Sequence, residues 1–155
     1  MDNKEGIIDD AKEHFRRGFS VMLPMENAFM HIGVFLGWVI ERELYSELFA
    51  DEGDTQIFRF LNHGLSCVLL GAVWDGCVSY EQLNQEGLDF AIDYYESGQY
   101  LIDYKETLAK NLKSLFQVKD NRMNYERMRN VLDKRFKEWK LKKGNVKKWN
   151  KVEAV

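Results

Sequence analysis

Catalysis or metal binding in this chain would fall first to His14, His31 and His63, because histidine is the side chain that titrates nearest neutral pH and the commonest metal ligand. Along the sequence they do not cluster. His14 sits in the charged stretch Glu13–Arg17 and reads as exposed, His31 interrupts a long apolar segment, and His63 falls at a helix end. His63 and Cys67 are spaced i, i+4, as two zinc ligands on one helical face would be, but no second pair stands nearby to complete a site. A capped helix end and a packed thiol account for the same two residues. His31 reads as a core histidine satisfied by one hydrogen bond. Among the carboxylates, Asp89 and Asp93 are also i, i+4, and Glu41, Glu43 and Glu47 form a second group. General acid–base chemistry needs one carboxyl desolvated enough to hold its proton. These carboxylates lie in openly charged stretches and read as a solvated face. The phosphate-loop, dinucleotide, nucleophile-elbow and zinc-helix motifs are all missing. The expectation is a non-enzyme with no catalytic residue, no metal site and no cofactor.

The elements that would position these groups read as helices. Eleven glycines and one proline give too little punctuation for a β-sandwich or barrel. A short amphipathic helix is expected over Asp9–Phe19, then a long one from Pro24, a favoured first-turn proline, through Ile32, Phe35, Leu36, Val39, Ile40 and Leu44. Gly33 and Gly37 share one face of it, and glycine costs up to about 1 kcal/mol in a helix, so another backbone is expected to pack closely there. Asp51–Asp54 reads as an acidic loop, with Asp54 capping a helix that ends at His63-Gly64. Leu65–Trp74 reads as a buried helix and Asp75-Gly76 as a turn. Ser79-Tyr80-Glu81-Gln82 has the form of a capping box opening a helix from Tyr80 to Glu96, with Ser97-Gly98 as its stop. Helices over Tyr100–Val118 and Asn121–Leu141 follow, the last ended by Gly144-Asn145. The expected fold is all-α, a single irregular bundle of about six to seven helices spanning 1–155.

Charge divides the chain. Residues 1–118 hold 20 Asp and Glu against 9 Lys and Arg, a net −11, while residues 119–155 hold 5 against 13, a net +8. The acidic body argues against nucleic-acid binding through that surface, and its field would attract a basic partner. The basic segment, with Trp139 and Trp149, could lie on a membrane or a phosphate backbone, or fold back on the acidic body. Neither apolar run, Ala28–Ile40 or Gly64–Trp74, approaches the ~20 residues of a membrane span. With no secretory opening and two cysteines, Cys67 and Cys77, read as ordinary reduced thiols, a cytoplasmic protein is expected.

Two stretches resemble a known pattern. Pro24-Met25-Glu26-Asn27-Ala28, His31-Ile32-Gly33 and Phe35-Leu36-Gly37-Trp38 are similar to the P-x-E-N-A-x-x-H-I-G-x-F-L-x-W segment of an uncharacterised bacterial domain family. Leu83-Asn84-Gln85-Glu86-Gly87, followed by Phe90, Tyr94 and Tyr95, resembles its L-N-x-E-G block. In type, the family resembles immunity proteins that neutralise toxins of competing bacteria. The resemblance implies a small cytosolic protein and carries no functional residues over.

The expected function is therefore a protein-binding module, in its most concrete form an immunity protein covering a basic toxin surface. The tyrosine-rich acidic stretch is its candidate interface: Glu81, Glu86, Asp89, Asp93, Tyr94, Tyr95, Glu96, Tyr100 and Asp103. Carboxylates would steer the partner and tyrosines anchor it. A structural or adaptor domain, or a metal-dependent or carboxylate-based hydrolase using His31, His63 or the acidic cluster, are the alternatives.

Overall fold

Eleven consecutive residues, Met30 to Ile40, are buried in one helix, so the rest of the chain must pack around that helix on every side. The structure, a computed structural model, describes residues 5–17, 19–20 and 22–153, with side chains through Gly144. Gly18 and the side chain of Trp149 lie outside the described residues. The order is β1 (Ile7–Asp10), α1 (Ala11–Arg16), a 3-10 turn (Met25–Phe29), α2 (Met30–Glu41), α3 (Glu47–Leu61), α4 (Cys67–Val73), β2 (Cys77–Ser79) and a second 3-10 turn (Tyr80–Gln82). Then come α5 (Gln85–Ala91), a π turn (Ile92–Glu96), α6 (Gln99–Leu108), a third 3-10 turn (Leu115–Gln117) and α7 (Arg122–Glu153). The mostly α fold expected from the sequence stands, with one addition: β1 and β2 form a small antiparallel pair.

The central helix is held where its glycines let neighbours in. A Cβ at Gly33 would stand 1.7 Å from the Cys67 carbonyl oxygen of α4, and one at Gly71 would stand 2.7 Å from the Phe29 carbonyl oxygen. The α2 and α4 backbones are thus in contact, as the spacing of small residues predicted. Gly37 admits the ring of Phe60, 2.4 Å from the position of its missing Cβ. On another side α7 contributes Tyr125, Met128 and Leu132, all buried.

Several boundaries differ from expectation, each for a local reason. The acidic stretch Asp51–Asp54 lies inside α3, which begins earlier because Ser46 caps it through the Phe49 amide at 3.2 Å. Its Gly53 kinks the helix, with non-helical φ −122° and ψ 20°, and Trp74 packs over that point. The helix expected from Tyr80 starts at Gln85, because Leu83 is extended and Asn84 caps the Gly87 amide at 2.8 Å. Gln82 does reach back to the Ser79 amide, at 3.0 Å, but over a single 3-10 turn. Gly98 at φ +99° stops the π turn, as read. The Tyr100–Val118 helix ends at Leu108, and α7 continues through Gly144 rather than ending there. No helix among the described residues is long and apolar enough to cross a membrane.

Gly33→Ala should therefore destabilise the fold by about 3 kcal/mol, the upper part of the usual range for overpacking, since the atom it meets is backbone. Gly144→Ala, where a Cβ meets nothing within 4 Å, should cost nothing. Urea unfolding of the two variants checks the contrast.

Candidate metal centre

The β1–α1 hairpin of chain places an aspartate and a histidine over the start of α2. Asp10 caps α1, its carboxylate accepting from the Lys12 amide at 2.9 Å, and the Ala11 amide is held by the Gly76 carbonyl at 2.8 Å. The register of β1 against β2 shifts between Ile7 and Asp9. Irregularities of this kind re-aim side chains, and the Asp9 carboxylate here turns into the core. One turn of α1 later His14 leans over it, from the other side comes His31 in the first turn of α2, and the π turn supplies Tyr95.

These side chains converge. Asp9 Oδ1 lies 2.8 Å from His14 Nε2, Asp9 Oδ2 lies 2.9 Å from His31 Nε2, and the two Nε2 atoms are 3.2 Å apart. Tyr95 donates its hydroxyl proton to Asp9 Oδ2. The side-chain exposures are 0% for His31, 9% for Asp9 and 20% for His14. His31 is further fixed by Tyr100, whose hydroxyl donates to the His31 carbonyl at 2.5 Å. Its Nδ1 is buried with no hydrogen-bond partner among the described residues. His14 also packs edge-on against His31 and Phe116, at ring separations of 4.8 and 5.4 Å.

Burial alone would raise the Asp9 pKa, but hydrogen bonds and charge from His14 and His31 outweigh it and hold the carboxyl well below the usual carboxylate range. Burial, with the Asp9 charge behind it, pushes the Tyr95 hydroxyl well above its ordinary value, so it stays a donor. If both Nε2 atoms carry hydrogen, they donate to Asp9 but face each other as two N–H groups; if one does not, it can accept from the other at 3.2 Å while its lone pair also faces a carboxylate oxygen. The potential ligand atoms of Asp9, His14 and His31 all lie within 4.8 Å of one another. Two nitrogens about 2.0–2.1 Å from one zinc ion in a tetrahedral site stand roughly 3.3 Å apart, close to the spacing seen. The donor set therefore suits a divalent ion of the zinc class. A cleft of about 250 Å³, lined by Ile7, Ile8, Asp9, Asp10, Glu13, His14 and Arg17, opens beside it.

The expectation that the histidines stay apart is thus corrected: His14 and His31 meet because the β1–β2 pairing lays α1 across the start of α2. His31 is buried, as predicted, but it has two partners at Nε2 rather than one. His63 is elsewhere, its Nδ1 accepting from Arg122 at 2.5 Å, and burial raises the pKa of the Cys67 thiol. The one sequence signal for the site was an ionisable ring inside an otherwise apolar helix.

The nine residues expected to bind a partner divide. Tyr94, Tyr95 and Tyr100 are 5%, 4% and 0% exposed and are core rings, not surface anchors: the π turn directs both Tyr94 and Tyr95 inward. Asp103, 5% exposed, is also interior, accepting from Tyr94 at 2.5 Å and from Arg135 at 2.8 and 3.0 Å. Glu86 faces Lys140 at 3.6 Å, and Asp93 accepts from the Trp139 indole at 2.8 Å with Lys143 at 3.8 Å. Glu81, Asp89 and Glu96 form no ion pair with the described residues; Asp89 accepts from Gln85 and Glu96 from Tyr80.

The arrangement is that of a helical domain with a buried carboxylate–imidazole centre. Residues 7–118 match the family described as Domain of unknown function (DUF7832), and the chain belongs to it. No curated protein and no solved structure matches the chain.

Asp103 yields a pH prediction. Burial would raise its pKa, but hydrogen bonds from Arg135, Tyr94 and Gln99 lower it on balance. A depressed folded pKa gives stability that is complete above the unfolded value, about 4, and is lost as pH falls through and below it. Asp103→Asn should lower the urea midpoint at pH 7 and flatten its decline between about pH 5 and 2. An unchanged slope would show that Asp103 is not what titrates.

Proposed function

We propose that this protein is a metal-binding domain whose Asp9, His14 and His31 hold a divalent ion of the zinc class. The observation that carries this is the approach of two imidazole Nε2 atoms to 3.2 Å while both face one carboxylate. Nitrogen and carboxylate donors in this number suit zinc and its neighbours rather than calcium or magnesium, which prefer all-oxygen shells. Three protein ligands leave one tetrahedral position for water or another ligand, the pattern of reactive rather than closed structural zinc sites. Tyr95, bonded to Asp9, would orient the carboxylate from the second layer. His14, the most exposed of the three, stands at the cleft, so exchange with solvent would occur on its side.

The partner-binding role expected of the acidic stretch, including neutralisation of a basic toxin as an immunity protein, has narrower support. Glu81 and Glu96 are exposed and Asp89 half-buried, none with a basic partner among the described residues, whereas the expected tyrosine anchors are interior. Its distinguishing test is binding of a cognate toxin by metal-free protein.

Dialysis of chelator-treated protein against zinc or cobalt, followed by metal analysis, should show one ion per chain. Cobalt should give the visible absorption of a tetrahedral nitrogen–oxygen site. His14→Ala and His31→Gln should each weaken uptake by about a hundredfold or more. No stoichiometric uptake, or uptake indifferent to both substitutions, would refute the proposal.

A further inference from the structure

Among the described residues, charged side chains pair repeatedly across the seam between the acidic body and the C-terminal helix. α7 lies beyond the segment matched by the family, which ends at Val118. Its two halves are held differently. The first half buries Tyr125, Met128 and Leu132, and Asp133 accepts from the Trp38 indole at 2.9 Å and from Arg42 at 2.7 and 2.6 Å. From Phe136 to Lys143 the attachment is more exposed: Phe136 and Trp139 are both half-buried, Phe136 leaning on the buried Trp38 and Phe90 rings at 5.4 and 5.1 Å and Trp139 on Phe90 at 5.5 Å, with its indole donating to Asp93. The ion pairs Lys140–Glu86 and Lys143–Asp93 have side chains about half exposed. Clefts of about 240 and 470 Å³ include Trp139 in their walls, one with Phe90 and Tyr94, the other with Glu86 and Asp89. Exposed pairs of this kind hold little, and open clefts beside an anchor ring mean that the ring is incompletely packed.

We infer that the trough formed by Glu86, Asp89, Phe90, Asp93 and Tyr94 is a docking site for a basic amphipathic helix of another protein, and that the stretch of α7 from Phe136 to Lys143 covers it as an internal stand-in. What fits is read from what sits there: two aromatic rings three residues apart, Phe136 and Trp139, with lysines one turn on at Lys140 and Lys143. This is recognition of a helix in a groove, with rings as anchors and opposite charge at the rim. A partner helix of that chemistry would compete with a tether whose ion pairs at Lys140 and Lys143 are half exposed and whose Trp139 ring is only partly covered, while the first half of α7 keeps the core closed. The inference rests on this face alone and is independent of the Asp9 centre.

The test uses the full chain and a fluorescent peptide of residues 133–151 as the probe. Wild type should bind it weakly, because the trough is covered. The full-length double variant Phe136→Ser, Trp139→Ser should bind it at least tenfold more tightly, and raised salt should weaken that binding. Adding Asp93→Lys to the variant should remove the gain. A scrambled peptide should not bind. Lys140→Glu with Lys143→Glu, which touches exposed residues only, supplies a second loosened chain should the first melt early. No peptide binding to either folded variant, or equal binding to wild type, would overturn the inference. Dimerisation of the loosened chain in place of peptide capture would also overturn it, by giving the trough to a second copy.

Discussion

Burial of α2 on all sides is the constraint from which the remaining architecture follows. An eleven-residue stretch without an exposed side chain cannot be covered by one neighbour, and the chain supplies α4 through the glycine contacts, α7 through Met128 and Leu132, and the aromatic rings of the π turn and α6. His31 is the single ionisable side chain in that stretch. A polar ring so placed needs a partner delivered from elsewhere, since an unpaired buried polar group is costly. The partner is Asp9, carried in by a strand four residues long. The candidate centre is thus a consequence of the packing: the most apolar helix contains one histidine, and β1 and α1 are laid across it to meet that histidine.

What the sequence disclosed and what it concealed divide by range. The α2 stripe, the Asp75-Gly76 turn and the Gly98 stop depend on neighbours within a few residues, and the close approach at Gly33, though made to α4, was announced by two glycines four apart on one helix face. The start of α5 was misplaced because two capping signals stand five residues apart. Ser79 with Gln82 is the stronger pattern, but Leu83 leaves the helical region and Asn84 prevails. In α3 an acidic stretch containing glycine resembles a loop; tertiary packing of Trp74 over Gly53 absorbs it as a kink. The β1–β2 pair joins residues about seventy apart through strands of four and three residues, too short to show alternation. The candidate centre depends on that pairing, so its three residues could be weighed singly but not brought together.

Charge patterning was legible in sign, and of the uses weighed for it the described residues display the folding back of the basic segment on the acidic body. The acidic body and basic tail were evident from counting, and complementarity between them is realised within the chain, through Arg135 on Asp103, Lys140 at Glu86 and Lys143 at Asp93. Tyrosines in an acidic stretch look like interface anchors, yet they are equally suited to a core in which each hydroxyl can find an acceptor. Tyr94, Tyr95 and Tyr100 each find one: Asp103, Asp9 and the His31 carbonyl.

Those hydroxyls give the π turn its significance. A π turn interposes an extra residue in the helical path and often marks a functional position. Here it sets Tyr94 and Tyr95, adjacent in sequence, toward different acidic groups. Tyr95 donates to Asp9, in the candidate metal centre; Tyr94 donates to Asp103, which in turn holds Arg135 of α7. Regular α-helix would turn successive side chains by about 100° at fixed rise, and the wider turn adjusts the spacing so that both rings are buried and both hydroxyls are satisfied. Tyr100 locks the arrangement by stacking on Tyr95 at 4.3 Å while bonding the backbone of His31. One turn thus touches both Asp9 and the Asp103–Arg135 link to α7, and any rearrangement of it would have to be accommodated at both.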